Sequence, residues 1–315
     1  MFTLPASATA RRRQRKSSGK IIIIIGIILI VLALLRRDSG AVISPLPESP
    51  QPTNAPELPV KAGKKNRNPL ELENSIRQAV GNAWKNYSVV VEDMNSSFTV
   101  SIDGMVMHRA ASVNKVPILA ALYVLSERGE TDLNRVITLQ AGDIQNYGTG
   151  SIRYDSPGST YSVKTLAKLM IQKSDNTAAY ILAQYIVGQQ RLKKMVSDFG
   201  LVQTDMDENT TSNADMAKLF RKIYRNELTN QAYSGEMLAF LKDSDFEDRL
   251  PGKLPPGTTI YHKIGTEVGN IHDVGIVETP DGAFYIGVLT SDVTDETQAT
   301  ELIAMISRLV YDFML

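Results

Sequence analysis

The 315-residue chain contains no cysteine, which excludes disulfide bridges, thiolate catalysis and cysteine-based zinc centres. Histidine is nearly as scarce: His108, His262 and His272 are the whole complement, too few for a histidine-rich metal centre, and neither metal nor cofactor is expected. Neither sign of charge predominates, with 34 basic side chains against 34 acidic ones. A phosphate-binding surface needs a basic excess, so nucleic acid is not expected as a partner. There is no internal repeat, and the glycines around Gly148-Thr149-Gly150-Ser151 lack both the spacing and the lysine of a nucleotide-binding loop.

Long hydrophobic runs are also missing, with one exception. Residues 21–35 form an unbroken stretch of 15 residues, apolar apart from Gly26, bounded by Lys20 and by Arg36-Arg37. As a helix it would span about 22 Å against a hydrocarbon core of ~30 Å, so the flanking cations would have to reach up to the headgroups. No small-residue cleavage site follows it, which favours an uncleaved membrane anchor over a signal peptide. Arg11, Arg12, Arg13, Arg15, Lys16 and Lys20 precede the run, and only two arginines follow closely. The positive-inside rule then puts the N-terminus in the cytoplasm and the rest of the chain outside the cell membrane.

Beyond the run, Pro45, Pro47, Pro50, Pro52, Pro56 and Pro59 lie among serines and small residues, and a basic stretch follows at 61–67. Such a composition cannot bury a core and reads as a semi-extended tether. The expected organisation is a basic cytoplasmic stretch (1–20), a transmembrane anchor (21–35), a proline-rich linker (36–68) and a folded domain (69–315) expected to be monomeric.

Within that domain, Leu72, Ile76, Val80 and Trp84 recur at helical spacing and predict a helix over 70–85. Strands are expected at 87–91 and 98–102, and again at 260–264, 273–278 and 283–289. Helical periods with suitable caps cover 162–172, 177–187, 190–198 and 213–225, and a last amphipathic helix is expected at 297–314. Strands at both ends with helices between imply an α/β (α+β) architecture. Its antiparallel five-stranded sheet would be assembled from the two chain ends, with an all-helical lobe inserted at about 120–225 and a cleft where the two meet.

Three short motifs lie in order along this domain: Ser112-Val113-Asn114-Lys115, Ser174-Asp175-Asn176 and Lys263-Ile264-Gly265-Thr266. Ser112 sits where a helix should begin, and Lys115 lies one turn on along the same face. A serine hydroxyl needs a base, and a lysine amine can serve once burial or a neighbouring cation lowers its pKa. Taken singly, each motif also reads as something ordinary, a helix cap or a lysine beside a strand.

The ordered set resembles the signature of class A β-lactamases and penicillin-binding proteins. The stretch 157–178 and the 62-residue spacing from Ser112 to Ser174 support that resemblance. The resemblance implies Ser112 as acylated nucleophile, Lys115 as its base and Ser174 as proton relay to the leaving nitrogen. It further implies Asn176 as holder of the substrate amide, Lys263 facing the substrate carboxylate, and the N–H groups of Ser112 and Thr266 as oxyanion hole. Gly265 would let a substrate backbone approach the strand, Tyr147 would line the mouth of the cleft, and Asp175 would be structural. The fold implied is the β-lactamase/transpeptidase-like one.

Two departures from the family pattern stand out. Ile264 replaces the usual hydroxyl residue of the third motif, with Thr266 a candidate substitute, and no cation is evident on the adjacent strand, where His272 is the nearest candidate. The stretch 204–209 is much shorter than the family's loop and has no Glu-x-x-x-Asn spacing. Acylation without efficient deacylation is therefore expected, by a β-lactam or by a peptidoglycan stem peptide. The alternatives at this stage are a β-lactamase, a D-alanyl-D-alanine peptidase, and a non-catalytic wall-peptide binding module.

Overall fold

A computed structural model describes residues 67–315. The run at 21–35 lies outside these residues, and among those described no helix is long and apolar enough to cross a membrane.

The domain begins with α1 (Pro69–Val80), which Asn68 caps by accepting the Leu70 N–H and which Pro69 opens at its first position. It ends earlier than its periodicity predicts because Gly81 takes φ 52°, a left-handed turn that hands Trp84 to the core from a loop. Next come β1 (Asn86–Asp93), β2 (Thr99–Ile102) and β3 (Met107–Arg109), a 3₁₀ turn at Ala111–Asn114, and α2 (Lys115–Glu127). Short strands β4 (Val136–Thr138) and β5 (Thr160–Ser162) precede α3 (Val163–Gln172) and α4 (Asn176–Ile181). A π-helical turn at Leu182–Val187 leads to α5 (Gln189–Asp198), then β6 (Thr210–Ser212), α6 (Asn213–Tyr224) and α7 (Gln231–Lys242). Strands β7 (Ile260–Glu267), β8 (Asn270–Thr279) and β9 (Gly282–Ser291) and helix α8 (Glu296–Met314) close the chain.

The five-stranded sheet runs β2-β1-β9-β8-β7 and is antiparallel throughout, so its strands do come from the two chain ends. Alternation along its central strands divides two cores. Val89 and Val91 face a cluster with Leu72, Ile76, Leu302 and Ile306, under α1 and α8, whereas Val90, Tyr285 and Leu289 face the cluster built by the other helices. Helix α2 is the axis of that second cluster: every residue from Lys115 to Leu125 is buried. A helix buried on all sides is hydrophobic all round, which explains why its sequence lacks a polar face.

Helix α7 was not foreseen, although Asn230 caps it by accepting the Tyr233 N–H and it buries Met237 and Leu241. Neither were the pairings β4–β5 and β3–β6, whose three-residue strands are too short to show a period. The β3–β6 pair matters for the site. It sets His108 opposite Thr211 and Arg109 opposite Thr210, so the short turn at 204–209 is held beside the start of α2.

Candidate active site

Ser112 is half-buried in the 3₁₀ turn, and α2 proper begins at Lys115, three residues later than the expected start. Ala111, immediately before the serine, holds φ 47°, and Ser174 holds φ 50°. Left-handed backbone at a non-glycine residue costs ~1–2 kcal/mol, so both turns are kept in shape by their surroundings.

Those surroundings include β7. A Cβ built on Gly265 would stand 2.9 Å from the Ala110 carbonyl oxygen and 3.1 Å from a Val113 methyl. The glycine is thus required for the strand to lie against the turn that carries Ser112. The expectation that it clears a path for substrate backbone is corrected accordingly, because the space in front of its missing Cβ is filled by the protein itself.

Lys115 is 6% exposed, Ser174 2% and Lys263 1%. The Lys115 Nζ lies 2.5 Å from the Ser174 carbonyl oxygen, 2.7 Å from Asn176 Oδ1 and 3.1 Å from Ser174 Oγ. Lys263 Nζ lies 3.1 Å from the same Ser174 Oγ and donates to the Ile264 carbonyl at 3.1 Å. Burial pulls the Lys115 amine well below its ordinary pKa, the charge of Lys263 pulls it further, and Asp175 only partly opposes them. Burial likewise lowers Lys263 to about 7, against the pull of Asp273 and with a further push from Arg249. A neutral Lys115 has two N–H groups and one lone pair. The carbonyl of Ser174 and the amide oxygen of Asn176 take the two hydrogens, which leaves the lone pair free for a hydroxyl proton. Ser174 Oγ lies at equal distance from both amines, accepts from Lys263, and keeps its own hydrogen to pass on.

Asn176 is oriented from both ends, since its Oδ1 accepts from Lys115 and its Nδ2 donates to the Tyr147 carbonyl at 3.1 Å. The second hydrogen on Nδ2 remains for a ligand. Asp175 is structural: its carboxylate accepts the Ser151, Ile152 and Ala178 N–H groups at 2.7–2.9 Å, capping α4 and tying the 148–152 loop to it. Ser112, Lys115, Asn176, Tyr147 and Thr266 all line one cavity of about 560 Å³, with Tyr147 65% exposed at its mouth. Ser174 and Lys263 lie directly behind that lining.

Thr266 Oγ1 accepts from Arg249 Nη2 at 2.6 Å, which leaves its own hydrogen to donate. The expectation about His272 is corrected. His272 is not a cation: its Nδ1 accepts the Thr290 N–H at 3.1 Å, so the proton sits on Nε2 and is donated to the Arg109 carbonyl at 2.7 Å. Burial holds it at about 4. The cation near the strand is Arg249, from the loop before β7, which also donates to the carbonyls of Gly265 at 2.9 Å and His272 at 2.7 Å. Sequence reading missed it because a loop residue ahead of the strand carries no periodic signal.

Asn114, inside the first motif, was missed as well. Its Nδ2 donates to Asn209 Oδ1 at 3.0 Å and to the Thr210 carbonyl at 3.3 Å, clamping the short turn to the nucleophile. Two of that turn's three carboxylates are engaged, and the third, Glu208, lies outside the cavity lining. Asp205 accepts the N–H groups of Asp207 and Glu208 at 2.8 and 3.0 Å, and those hydrogen bonds lower its pKa. Asp207 is ion-paired with Lys193, and Glu208 is exposed, its carbonyl accepting from Arg109. Among the described residues, no three His, Asp or Glu side chains converge where a metal could be held.

Comparison with known proteins agrees with this geometry. Residues 71–314 match the family described as "Beta-lactamase enzyme family". A beta-lactamase of Bacteroides uniformis is 27% identical over 235 residues, covering 64% of this chain and 78% of that protein. Beta-lactamase VEB-1 of Pseudomonas aeruginosa is 25% identical over 274 residues, covering 78% of this chain and 90% of that protein. Among solved structures, that of PBP-A is 29% identical with a TM-score of 0.71, covering 77% of this chain and 95% of that one. A PBP-A point mutant has also been solved as its acyl-enzyme complex with penicillin G. The beta-lactamase of Sphaerobacter thermophilus, 23% identical with a TM-score of 0.73, shares the fold over 79% of this chain and 97% of its own. A serine lining one cavity with a buried lysine, a second lysine on β7 and a hydroxyl between the two amines therefore stand in the frame of the beta-lactamase enzyme family, and this serine hydrolase belongs to it.

Proposed function

We propose that the protein forms an acyl-enzyme on Ser112 readily and loses it slowly, as a penicillin-binding peptidase of the cell wall does. In the forward step the Ser112 Oγ attacks the substrate carbonyl carbon while its proton passes to the Lys115 lone pair. The N–H groups of Ser112 and Thr266 hold the oxyanion. When the C–N bond breaks, the proton moves through Ser174 Oγ to the leaving nitrogen, with Lys263 holding the substrate carboxylate and making Ser174 a better donor. Asn176 fixes the amide of the acyl half.

What carries this reading is the state of the turn at 204–209. Hydrolysis of the ester needs a base aimed at a water beside Ser112, and of the three carboxylates there Asp205 is held by backbone N–H groups, Asp207 is paired with Lys193, and Glu208 is exposed and outside the cavity lining. The PBP-A acyl-enzyme with penicillin G supports the acylation half. The native substrate in this reading is the D-alanyl-D-alanine end of a peptidoglycan stem peptide, with β-lactams acting as its mimics. The domain would stand as a monomer outside the cell membrane on a single-pass anchor at 21–35, which the sequence supports.

Labelling by a fluorescent penicillin, run beside steady-state hydrolysis of the same drug, tests the reading. Stable labelling, lost in Ser112→Ala, with turnover far slower than labelling is expected. Rapid turnover would make the protein a true β-lactamase. Deletion of 21–35 should move the protein from the membrane fraction to the soluble one.

A further inference from the structure

The cavity in front of Ser112 does not end at the reacting groups. The helix face that presents Asn176 continues as Ala179 and, in the π turn, as Ala183, and the α2 face that presents Lys115 continues as Ile118. Leu192 from α5 and Met206 from the short turn close the far wall. Ala179, Ala183 and Met206 are only partly buried and present the apolar surface, and Ile118 and Leu192, 6% and 2% exposed, back it. Gln184, Gln189 and Lys193 share the lining, and the acyl-transfer steps make no use of this part.

Three features keep this pouch open. Both wall positions, Ala179 on α4 and Ala183 in the π turn, are alanine. The chain winds as a π-helix at Leu182–Val187, a rare form that is frequent at functional sites. The turn at 204–209 is too short to fill the space and is tied to α5 at the rim by the Asp207–Lys193 ion pair. Apolar walls with a few polar groups at one side are the usual make-up of a ligand pocket.

We propose that this pouch is a specificity subsite for the acyl half of the substrate, selecting acyl groups that carry an extended apolar substituent, aliphatic or aromatic. The placement follows from the reaction geometry. An acyl group bonded to Ser112 has its amide at Asn176, and the next groups along that helix face are Ala179 and Ala183. The leaving half departs towards Lys263 and Thr266, away from the pouch. The proposal rests on the acyl-enzyme reading above and adds to it what the acyl group looks like.

The test uses the full-length chain in detergent and a series of penicillins that share one nucleus: 6-aminopenicillanic acid and its acetyl, butanoyl, hexanoyl and octanoyl amides. Second-order acylation constants are expected to rise by about threefold to fourfold per added methylene until the pouch is full. Ala183→Leu should cut the series short, lowering the octanoyl-to-acetyl ratio by roughly tenfold, and Met206→Ala should extend it. If Ala183→Leu fails to fold, the wild-type series and Met206→Ala decide. Constants that stay flat along the series while every compound acylates would overturn the pouch and leave the acyl-enzyme reading standing. Acylation by none of the compounds would overturn that reading and the pouch with it.

Discussion

Lys115 and Lys263 approach one oxygen from two sides, each with its Nζ 3.1 Å from Ser174 Oγ. Burial lowers the pKa of both amines, and the charge of Lys263 lowers that of Lys115 further, which favours the neutral form of Lys115. The motif spacing in the sequence places these residues, but the proton arithmetic comes from their burial.

The first prediction concerns pH. Acylation needs Lys115 neutral, so its rate rises with pH through the depressed pKa of that amine. Lys263→Gln removes the neighbouring charge that is the second cause of the depression, so Lys115 holds its proton to higher pH. The acid limb of the acylation profile should move to higher pH, and on that limb the rate should fall about tenfold for every pH unit by which the limb has moved. Rapid-quench acylation rates between pH 5 and 9 measure it, and an unmoved limb would refute the coupling.

Gly265→Ala tests the contact between β7 and the nucleophile turn. The added Cβ meets the Ala110 carbonyl at 2.9 Å, and neither the strand nor the strained turn can yield without moving Ser112. Acylation should fall by about a hundredfold, the scale on which a ~1 Å misplacement acts, with a near-native circular dichroism spectrum. Wild-type acylation by the alanine variant would show that the turn gives way without cost.

Arg249→Gln strips donors from two buried carbonyls and from Thr266 Oγ1. A lost hydrogen bond from a charged donor is worth about 1.5–3 kcal/mol, so a fall in melting temperature is expected. Weaker acylation by carboxylate-bearing β-lactams should accompany it, since Thr266 and Gly265 belong to the strand that the carboxylate meets. Differential scanning fluorimetry and competition labelling separate the two effects.

His262 is fully buried, with Nδ1 2.9 Å from Asp273 Oδ1 and Nε2 3.5 Å from Glu247 Oε1. Burial lowers its pKa, but Asp273, with a smaller part from Glu247, outweighs burial and raises it to about 9. A raised histidine contributes stability that is complete below its unfolded pKa of ~6.5 and is lost as pH climbs through the folded value. The two lowered lysines act in the opposite sense over the alkaline range, so the informative quantity is the difference from His262→Asn. That difference, from urea unfolding, should be on the order of 1–3 kcal/mol at pH 6 and shrink towards pH 9.5. A difference independent of pH would mean that His262 folds uncharged.

The five sheet strands could be read from the sequence because they are short runs rich in β-branched and aromatic residues between turn signals, whereas the side that each of the three successive valines 89–91 faces came only with the fold. Ser112, Lys115, Ser174, Asn176, Lys263 and Thr266 could be named because they sit inside motifs. Arg249 and Asn114 escaped for a physical reason: their roles depend on which backbone carbonyls face them after folding, and neither periodicity nor spacing encodes that. The same holds for Gly265, whose glycine requirement comes from Ala110, distant in sequence. The pouch was hidden because small side chains at Ala179 and Ala183 register in a sequence only as helix formers. The short turn at 204–209 was visible as a missing stretch, whereas the engagement of its carboxylates with backbone and Lys193 required the fold.

The most direct test of slow deacylation at Ser112 is an intact-mass time course of the full-length protein in detergent with excess benzylpenicillin, followed by peptide mapping. A single adduct of one drug molecule on Ser112 that persists after free drug is removed is the expected result. An adduct that disappears within seconds while hydrolysed penicillin accumulates, or one that maps to a residue other than Ser112, would contradict it.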